Sequence, residues 1–205
     1  VDVETTIFVV DDDEAIRKAL TTAGKLIGRP VRSFASADEF LAGYDPAVPG
    51  CLVLDIKMPG MTGVELQRKL IADGTAIPVI VVSGHADVRI AVEVMSRGAV
   101  TLLEKPFRLD ELLAHIRTAI ETDAVNRAKI AERAETESRL AALTPKELEV
   151  LDLIVSGKTN KDIAAVLGLS LRAVEDRRAR LMKKAEARSI ADLIRLRDSL
   201  AEGDI

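Results

Sequence analysis

A chain of 205 residues, with 48% hydrophobic and 30% charged side chains, is long enough for two modest domains and apolar enough to fill packed cores, which excludes wholesale disorder. No basic N-terminal region leads into an apolar run, and no stretch approaches the ~18 apolar residues of a membrane span, so a cytoplasmic location without a membrane partner is expected. The lone Cys51 excludes an internal disulfide and a cysteine-based metal site, while the net charge of −4 hides an asymmetry: residues 1–121 carry 13 Lys/Arg against 18 Asp/Glu, residues 122–142 carry 4 against 4, and residues 143–205 carry 12 against 11.

Apolar runs at residues 7–10, 51–54, 77–82 and 100–103 alternate with stretches of helical period, such as Ile16, Leu20, Ala23, Ile27 and Val64, Leu66, Leu70, Ile71. Continuous apolar runs imply strands covered on both faces, and their alternation with helices predicts a parallel sheet. Residues 30–34 supply a further strand, and Ser36 is placed to cap the helix that follows. The first domain, residues 1–121, is therefore expected to be α/β: a five-stranded parallel doubly wound sheet with five helices. Residues 109–140 contain neither proline nor glycine, so the fifth helix is expected to run on as a long helical linker over residues 122–142. Leu109, Leu113, Ile116 and Ile120 hold a heptad-like spacing that fails at Asp123 and Arg127 and partly resumes at Ile130 and Ala134. That pattern favours a solvated helix over a stable coiled coil.

A second, all-α domain of four helices is expected over residues 143–205. Thr144, Pro145 and Glu147 mark a helix start. Gly157 ends that helix, Gly168 separates two short helices at a tight turn, and Ser189 caps a last one, which is helix-turn-helix punctuation. Between residues 170 and 184, Arg172, Arg177, Arg178, Arg180, Lys183 and Lys184 face only Glu175 and Asp176. Any nucleic-acid contact belongs there.

Residues just past the C-terminal ends of parallel strands meet in one crevice. Asp11 and Asp12 follow the first strand, Asp55 the third, Ser83 the fourth and Lys105 the fifth. Crowded carboxylates repel one another, and a hard cation such as Mg²⁺ relieves this by taking oxygen ligands. An oxygen of Asp55 could then attack a phosphoryl group in line, with Lys105 and the Ser83 hydroxyl contacting the transferred group. Asp11-Asp12-Asp13 also contains the D-x-D pattern of aspartyl-phosphate phosphatases, but such a site expects its nucleophile on the first strand and a cap or core from the remaining chain; an enzyme is not the preferred reading. His85 has no second His or Cys ligand placed by spacing and reads as incidental.

The segments Val9-Val10-Asp11-Asp12, Leu54-Asp55-Ile56-Lys57-Met58-Pro59-Gly60-Met61-Thr62-Gly63, Val82-Ser83-Gly84-His85 and Glu104-Lys105-Pro106-Phe107 together resemble a response-regulator receiver domain of flavodoxin-like fold. The resemblance implies that Asp55 is the phosphoacceptor, that Asp11, Asp12, Asp55 and the Lys57 carbonyl serve Mg²⁺, that a sensor histidine kinase is the donor, and that the Lys105–Pro106 bond is cis. It also makes Leu102 the switch position, where receivers commonly carry Tyr or Phe.

Leu143-Thr144-Pro145-Lys146-Glu147-Leu148-Glu149-Val150-Leu151, followed by Gly157-Lys158-Thr159-Asn160-Lys161-Asp162-Ile163-Ala164 and Leu167-Gly168-Leu169-Ser170, resembles the LuxR-type helix-turn-helix. With the receiver, the chain is similar to the NarL/FixJ class, closest to its FixJ branch. On that correspondence Glu175, Asp176 and Ala179 read bases, Lys161, Arg172, Lys183 and Lys184 meet phosphates, and Arg177 and Arg178 serve either role in a major groove. Many family members carry Lys or a neutral residue where this chain has the acidic pair, and a helical domain that docks a protein is the competing reading. The implied function is phosphorylation-controlled homodimerisation and double-stranded DNA binding that regulates transcription, with RNA polymerase as a further partner.

Overall fold

A computed structural model describes residues 4–84 and 87–201; His85 lies outside the described residues. The chain divides into two compact units, Val1–Arg127 and Ala128–Ile205.

In the first unit the apolar runs form β1 (Thr6–Val10), β2 (Val31–Phe34), β3 (Gly50–Asp55), β4 (Val79–Ser83) and β5 (Thr101–Glu104). They make one parallel sheet in the order β2-β1-β3-β4-β5. Helices α1 (Glu14–Leu26), α2 (Ala37–Gly43), α3 (Gly63–Ala72), α4 (Val88–Ser96) and the start of α5 (Leu109–Ala141) accompany it. This is the expected doubly wound receiver fold.

Successive strand side chains point to opposite faces, so each apolar run serves two cores. Phe8, Val10, Leu52, Leu54 and Val81 pack with Phe40, Leu66, Leu70 and Val94. Ile7, Val9, Cys51, Val53, Ile80 and Val82 pack with Leu20, Leu112, Ile116 and Ala119. Burial, reinforced by the nearby Asp123 charge, pushes the Cys51 thiol up to about 12, which makes it an inert buried hydrophobe. The fourth strand starts two residues later than its apolar run and extends to Ser83, because Pro78 has no N–H to give the ladder.

Local caps fix where the helices begin. Ser36 accepts a hydrogen bond from the Glu39 N–H, Asp13 from that of Ala15, and Thr62 forms a reciprocal capping box with Glu65.

Helix α5 is continuous over 33 residues. Its inward stripe is Leu112, Ile116, Ala119 and Asp123, spaced four, three and four residues apart as an amphipathic helix requires. The heptad read from the sequence shares Ile116 and Asp123 with this stripe, and its Leu113 and Ile120 pack at the edge of the core, whereas Leu109 is 44% exposed. Packing against the sheet, rather than a partner helix, sets the phase. Asp123 consequently lands inside, 2% exposed. Its Oδ2 accepts from the Gly50 N–H at 2.8 Å and from Arg127 Nε at 2.8 Å. The Arg127 guanidinium also donates to the carbonyls of Pro46, Ala47 and Val48 at 2.9, 3.3 and 2.9 Å. The two residues that interrupt the heptad thus fasten the helix to the chain entering β3.

The second unit contains α6 (Pro145–Val155), α7 (Asn160–Leu167), α8 (Leu171–Lys184) and α9 (Ile190–Ala201). Val150, Leu151, Ile154, Ile163, Val174, Leu181 and Leu193 form its core with Leu140 and Leu143. Gly168 closes α7 with a left-handed φ of 63° and gives its N–H to the Ala164 carbonyl, a conformation that glycine adopts without a Cβ penalty. Ser170 then accepts from the Ala173 N–H and starts α8. Helix α7 begins at Asn160, earlier than its apolar pattern suggests, because Thr159 and Asp162 cap it reciprocally.

Candidate functional site

The register aligns Val10 with Leu54, Asp55 with Val82, and Ser83 with Glu104, which brings the C-terminal ends of β1, β3, β4 and β5 to one level. The crevice lies where the chain leaves β1 and β3 in opposite senses along the sheet, the usual ligand position in such folds. Lys105, just past β5, spans it. Its Nζ donates to Asp11 Oδ2 at 2.7 Å and to Asp55 Oδ1 at 2.6 Å. Its backbone N–H donates to the Ser83 carbonyl at 2.7 Å, and the Lys105–Pro106 bond is cis. Asp11, Asp55 and Ser83 are buried, at 1%, 4% and 0% exposure.

The second oxygen of each carboxylate meets a backbone amide. Asp13 N–H donates to Asp11 Oδ1 at 2.9 Å, and Lys57 N–H donates to Asp55 Oδ2 at 2.8 Å. Burial pushes the Asp55 carboxyl above its ordinary range; Lys105 and the Lys57 N–H pull it back, and the Asp11 charge adds to the rise. Burial alone would depress the Lys105 ammonium, but its hydrogen bonds to Asp11 and Asp55 outweigh this and hold it above its usual value. The carboxylate is therefore under tension that its partners only partly relieve.

Three carboxylates were expected to crowd together, yet only Asp11 and Asp55 share a partner, whereas Asp12 is exposed. Among the described residues no three acidic, His or Cys side chains form a metal-binding group. The Lys105 ammonium neutralises part of the charge of the Asp11 and Asp55 carboxylates. The donors still fit a hard cation: all are oxygens, and each carboxylate oxygen with one hydrogen bond keeps a second lone pair.

Supporting residues came to light only in three dimensions. A Cβ on Gly63 would stand 2.1 Å from the Asp55 carbonyl oxygen, so the start of α3 can close over the end of β3 only with glycine there. Arg17 Nη1 on α1 donates to the Asp11 carbonyl at 2.7 Å. The G-containing segment after Asp55 hinted at the first, but the second, six residues away on a helix face, had no distinctive signal. Leu102 is half-buried and packs against the core on the α2–α4 face.

On α8, Val174, Leu181 and the following Ala185 point inward, while Arg172, Glu175, Asp176, Ala179, Arg180 and Lys183 are exposed. Neither Glu175 nor Asp176 forms an ion pair among the described residues. Lys161, on α7, is exposed. Two of the expected DNA contacts are engaged within the unit: Arg178 Nη1 donates to Asn160 Oδ1 at 2.7 Å, and Lys184 Nζ to Glu147 Oε2 at 2.7 Å. Glu147 also accepts from the Thr144 N–H and hydroxyl at 2.8 and 2.9 Å. The Lys184 contact, followed by these bonds, holds its carboxyl down to about 2.

Residues 7–117 match the response regulator receiver domain, and residues 141–197 match the bacterial regulatory proteins of the luxR family. Nodulation protein W of Bradyrhizobium diazoefficiens is 41% identical over 194 residues, which cover 95% of this chain and 86% of that protein. Transcriptional regulatory protein FixJ of Azorhizobium caulinodans is 40% identical over 190 residues, 93% of this chain and 90% of that one. Among solved structures, response regulator StyR aligns with a TM-score of 0.90 at 37% identity, covering 95% of this chain and 98% of that chain. Full-length FixJ from B. japonicum aligns with a TM-score of 0.57 at 36% identity, covering 97% and 98%. With a receiver crevice at one end of its sheet and a helix-turn-helix later in the sequence, the chain belongs to the FixJ-like two-component response regulators, receiver domain first and LuxR-type DNA-binding domain second.

Proposed function

We propose that Asp55 accepts a phosphoryl group from a sensor histidine kinase and that this modification controls dimerisation and sequence-specific DNA binding, and so transcription. The observation that carries the reading is the Lys105 ammonium shared between the buried Asp11 and Asp55 carboxylates. In the transfer, an Asp55 oxygen attacks phosphorus, the bond to the donor imidazole breaks, and Asp55 becomes an acyl phosphate. Lys105 then exchanges Asp55 Oδ1 for a phosphoryl oxygen, while Ser83, buried beside it in the ladder, is placed to donate to another. Asp11, Asp12, Asp55 and the Lys57 carbonyl would hold Mg²⁺, which when bound neutralises charge on the incoming group. These contacts exist only in the modified state, which is what gives phosphorylation leverage over an equilibrium.

Dimerisation is supported by α4, where Val88, Val92 and Met95 form an exposed apolar stripe. A two-fold pair of α8 helices would match palindromic half-sites. The working limits are a receiver over 1–121, a linker over 122–142 and a reader over 143–205, with Asp123 and Arg127 binding the head of the linker to the receiver. No described helix is long and apolar enough to cross a membrane.

Incubation with acetyl phosphate and Mg²⁺ tests the reading. Wild-type chain should take up label and Asp55→Asn should take up none; undiminished label in the variant would place the acceptor elsewhere.

A further inference from the structure

Helix α8 has two flanks beside its exposed stripe. At 100° per residue, Arg178 lies on the flank that meets α7, as its bond to Asn160 shows. Arg177, Arg180 and Lys184 lie on the opposite flank, which meets α6 through the Lys184–Glu147 pair. There, Thr144, Lys146, Glu147, Arg177, Arg180 and Lys184 line a hollow of about 450 Å³. Glu147 neutralises Lys184, but Lys146, Arg177 and Arg180 form no ion pair among the described residues. Three uncompensated cations therefore surround one concavity.

Such crowding on one flank of a reading helix points to a polyanion. A helix in a major groove about 12 Å wide has a phosphate backbone on either side, so a helix with one cationic flank toward α7 and another toward α6 is furnished for both strands. Guanidinium groups suit phosphate in particular, since their planar fork donates two bonds at once. The acidic pair on the reading face adds a need: Glu175 and Asp176 repel the backbone, and the three free cations of the hollow outnumber them.

We propose that this hollow is a phosphate cradle, in which Lys146, Arg177 and Arg180 grip the backbone of the strand bordering the α6 flank. The proposal rests on the DNA-binding reading and adds Lys146 and Arg180 to its contacts. It assigns them no part in base preference, because phosphate contacts position a protein without reading sequence.

The test is the salt dependence of binding to a short mixed-sequence duplex, using the full chain with and without acetyl phosphate and Mg²⁺. Each lost phosphate contact should lower the slope of log affinity against log salt by about 0.9. The Lys146→Gln/Arg180→Gln variant should therefore lose roughly 2 from the wild-type slope, bind all sequences more weakly by a common factor, and keep its order of preference among them. Arg180→Lys should retain more of the slope than Arg180→Gln. Both side chains are exposed, so the fold is expected to survive, and an unchanged circular dichroism melt would verify that. Wild-type binding with an unaltered slope in the double variant overturns the cradle while leaving the DNA reading intact. If wild-type chain binds no duplex at low salt, the DNA reading itself fails. Binding of polyglutamate in place of duplex, dependent on Lys146 and Arg180, would give the hollow to an acidic protein segment and overturn the assignment.

Discussion

Each unit contains a lysine that reaches from one element to a buried carboxylate on another, and the two arrangements behave in opposite ways. Lys105 serves Asp11 and Asp55 at once, and burial still leaves the Asp55 carboxyl above its ordinary range. Lys184 serves Glu147 alone, together with two donors from Thr144, and the carboxyl falls to about 2. A cation divided between two buried anions leaves Asp55 only partly compensated, so a change that supplied it with further donors would be favourable. A carboxylate with three dedicated donors has nothing to gain from change, and it braces α6 against α8.

Breaking the brace should have the largest thermodynamic effect. Glu147→Ala removes a charge-assisted pair and the reciprocal cap of α6, at a cost of about 2 kcal/mol after allowance for the partial exposure of Lys184. All five aromatic residues lie at or before position 107, so tyrosine fluorescence reports on the receiver alone. The loss should appear in the helical circular dichroism signal with the Tyr44 signal unmoved.

Next in size is a contrast in pH dependence. The Glu147 carboxyl is depressed on folding, so its stabilisation is complete above its unfolded value near 4.5 and disappears as pH falls toward about 2. The Asp55 carboxyl is raised on folding, so it favours the folded state at low pH and opposes it once pH rises past the folded value. Asp55→Asn should therefore raise the urea midpoint of the Tyr44 signal at neutral pH, with the gain vanishing below about 4. A midpoint lowered at neutral pH would mean that the Lys105 bonds outweigh burial and would erase the contrast between the two sites. The smallest effect is expected from Leu102→Tyr. The half-buried site can take a ring at its edge, so the receiver should fold normally while its acetyl phosphate-dependent monomer–dimer balance shifts; sedimentation showing no shift would make Leu102 a packing residue only.

Most of the receiver could be read directly from its residues. An apolar run that must be covered on both faces shows no polar alternation, and Asp11, Asp55, Ser83 and Lys105 each follow such a run. The reader was legible through its punctuation, with Gly168 and Ser170 at the turn. What escaped were pairings whose partners lie far apart in sequence. Lys184 is separated from Glu147 by 37 residues and looked like one more phosphate contact at the end of a basic helix. Arg178 and Asn160 were hidden in the same way. Asp123 and Arg127 looked like defects in a heptad because their backbone partners at residues 46–50 lie far away in sequence; the useful signal was an Asp and an Arg four residues apart, with Asp123 in register with Leu112, Ile116 and Ala119. The different surroundings of Asp11 and Asp12, one buried and one exposed, were also not legible, because a doubled aspartate looks equivalent at both positions although adjacent residues leaving a strand face opposite ways.

The Asp123–Arg127 fastening also has a bearing on the order in which the protein is made. Asp123 is 73 residues downstream of the Gly50 amide it accepts from, and Arg127 is 79 to 81 residues downstream of the carbonyls of Val48, Ala47 and Pro46. At synthesis rates of roughly 5–20 residues per second, the entrance to β3 spends several seconds hydrated before its partners exist. The nascent receiver can therefore assemble its sheet but cannot secure the entrance to its central strand until the linker has been made, which makes the first turns of that linker the closing piece of the domain that precedes it.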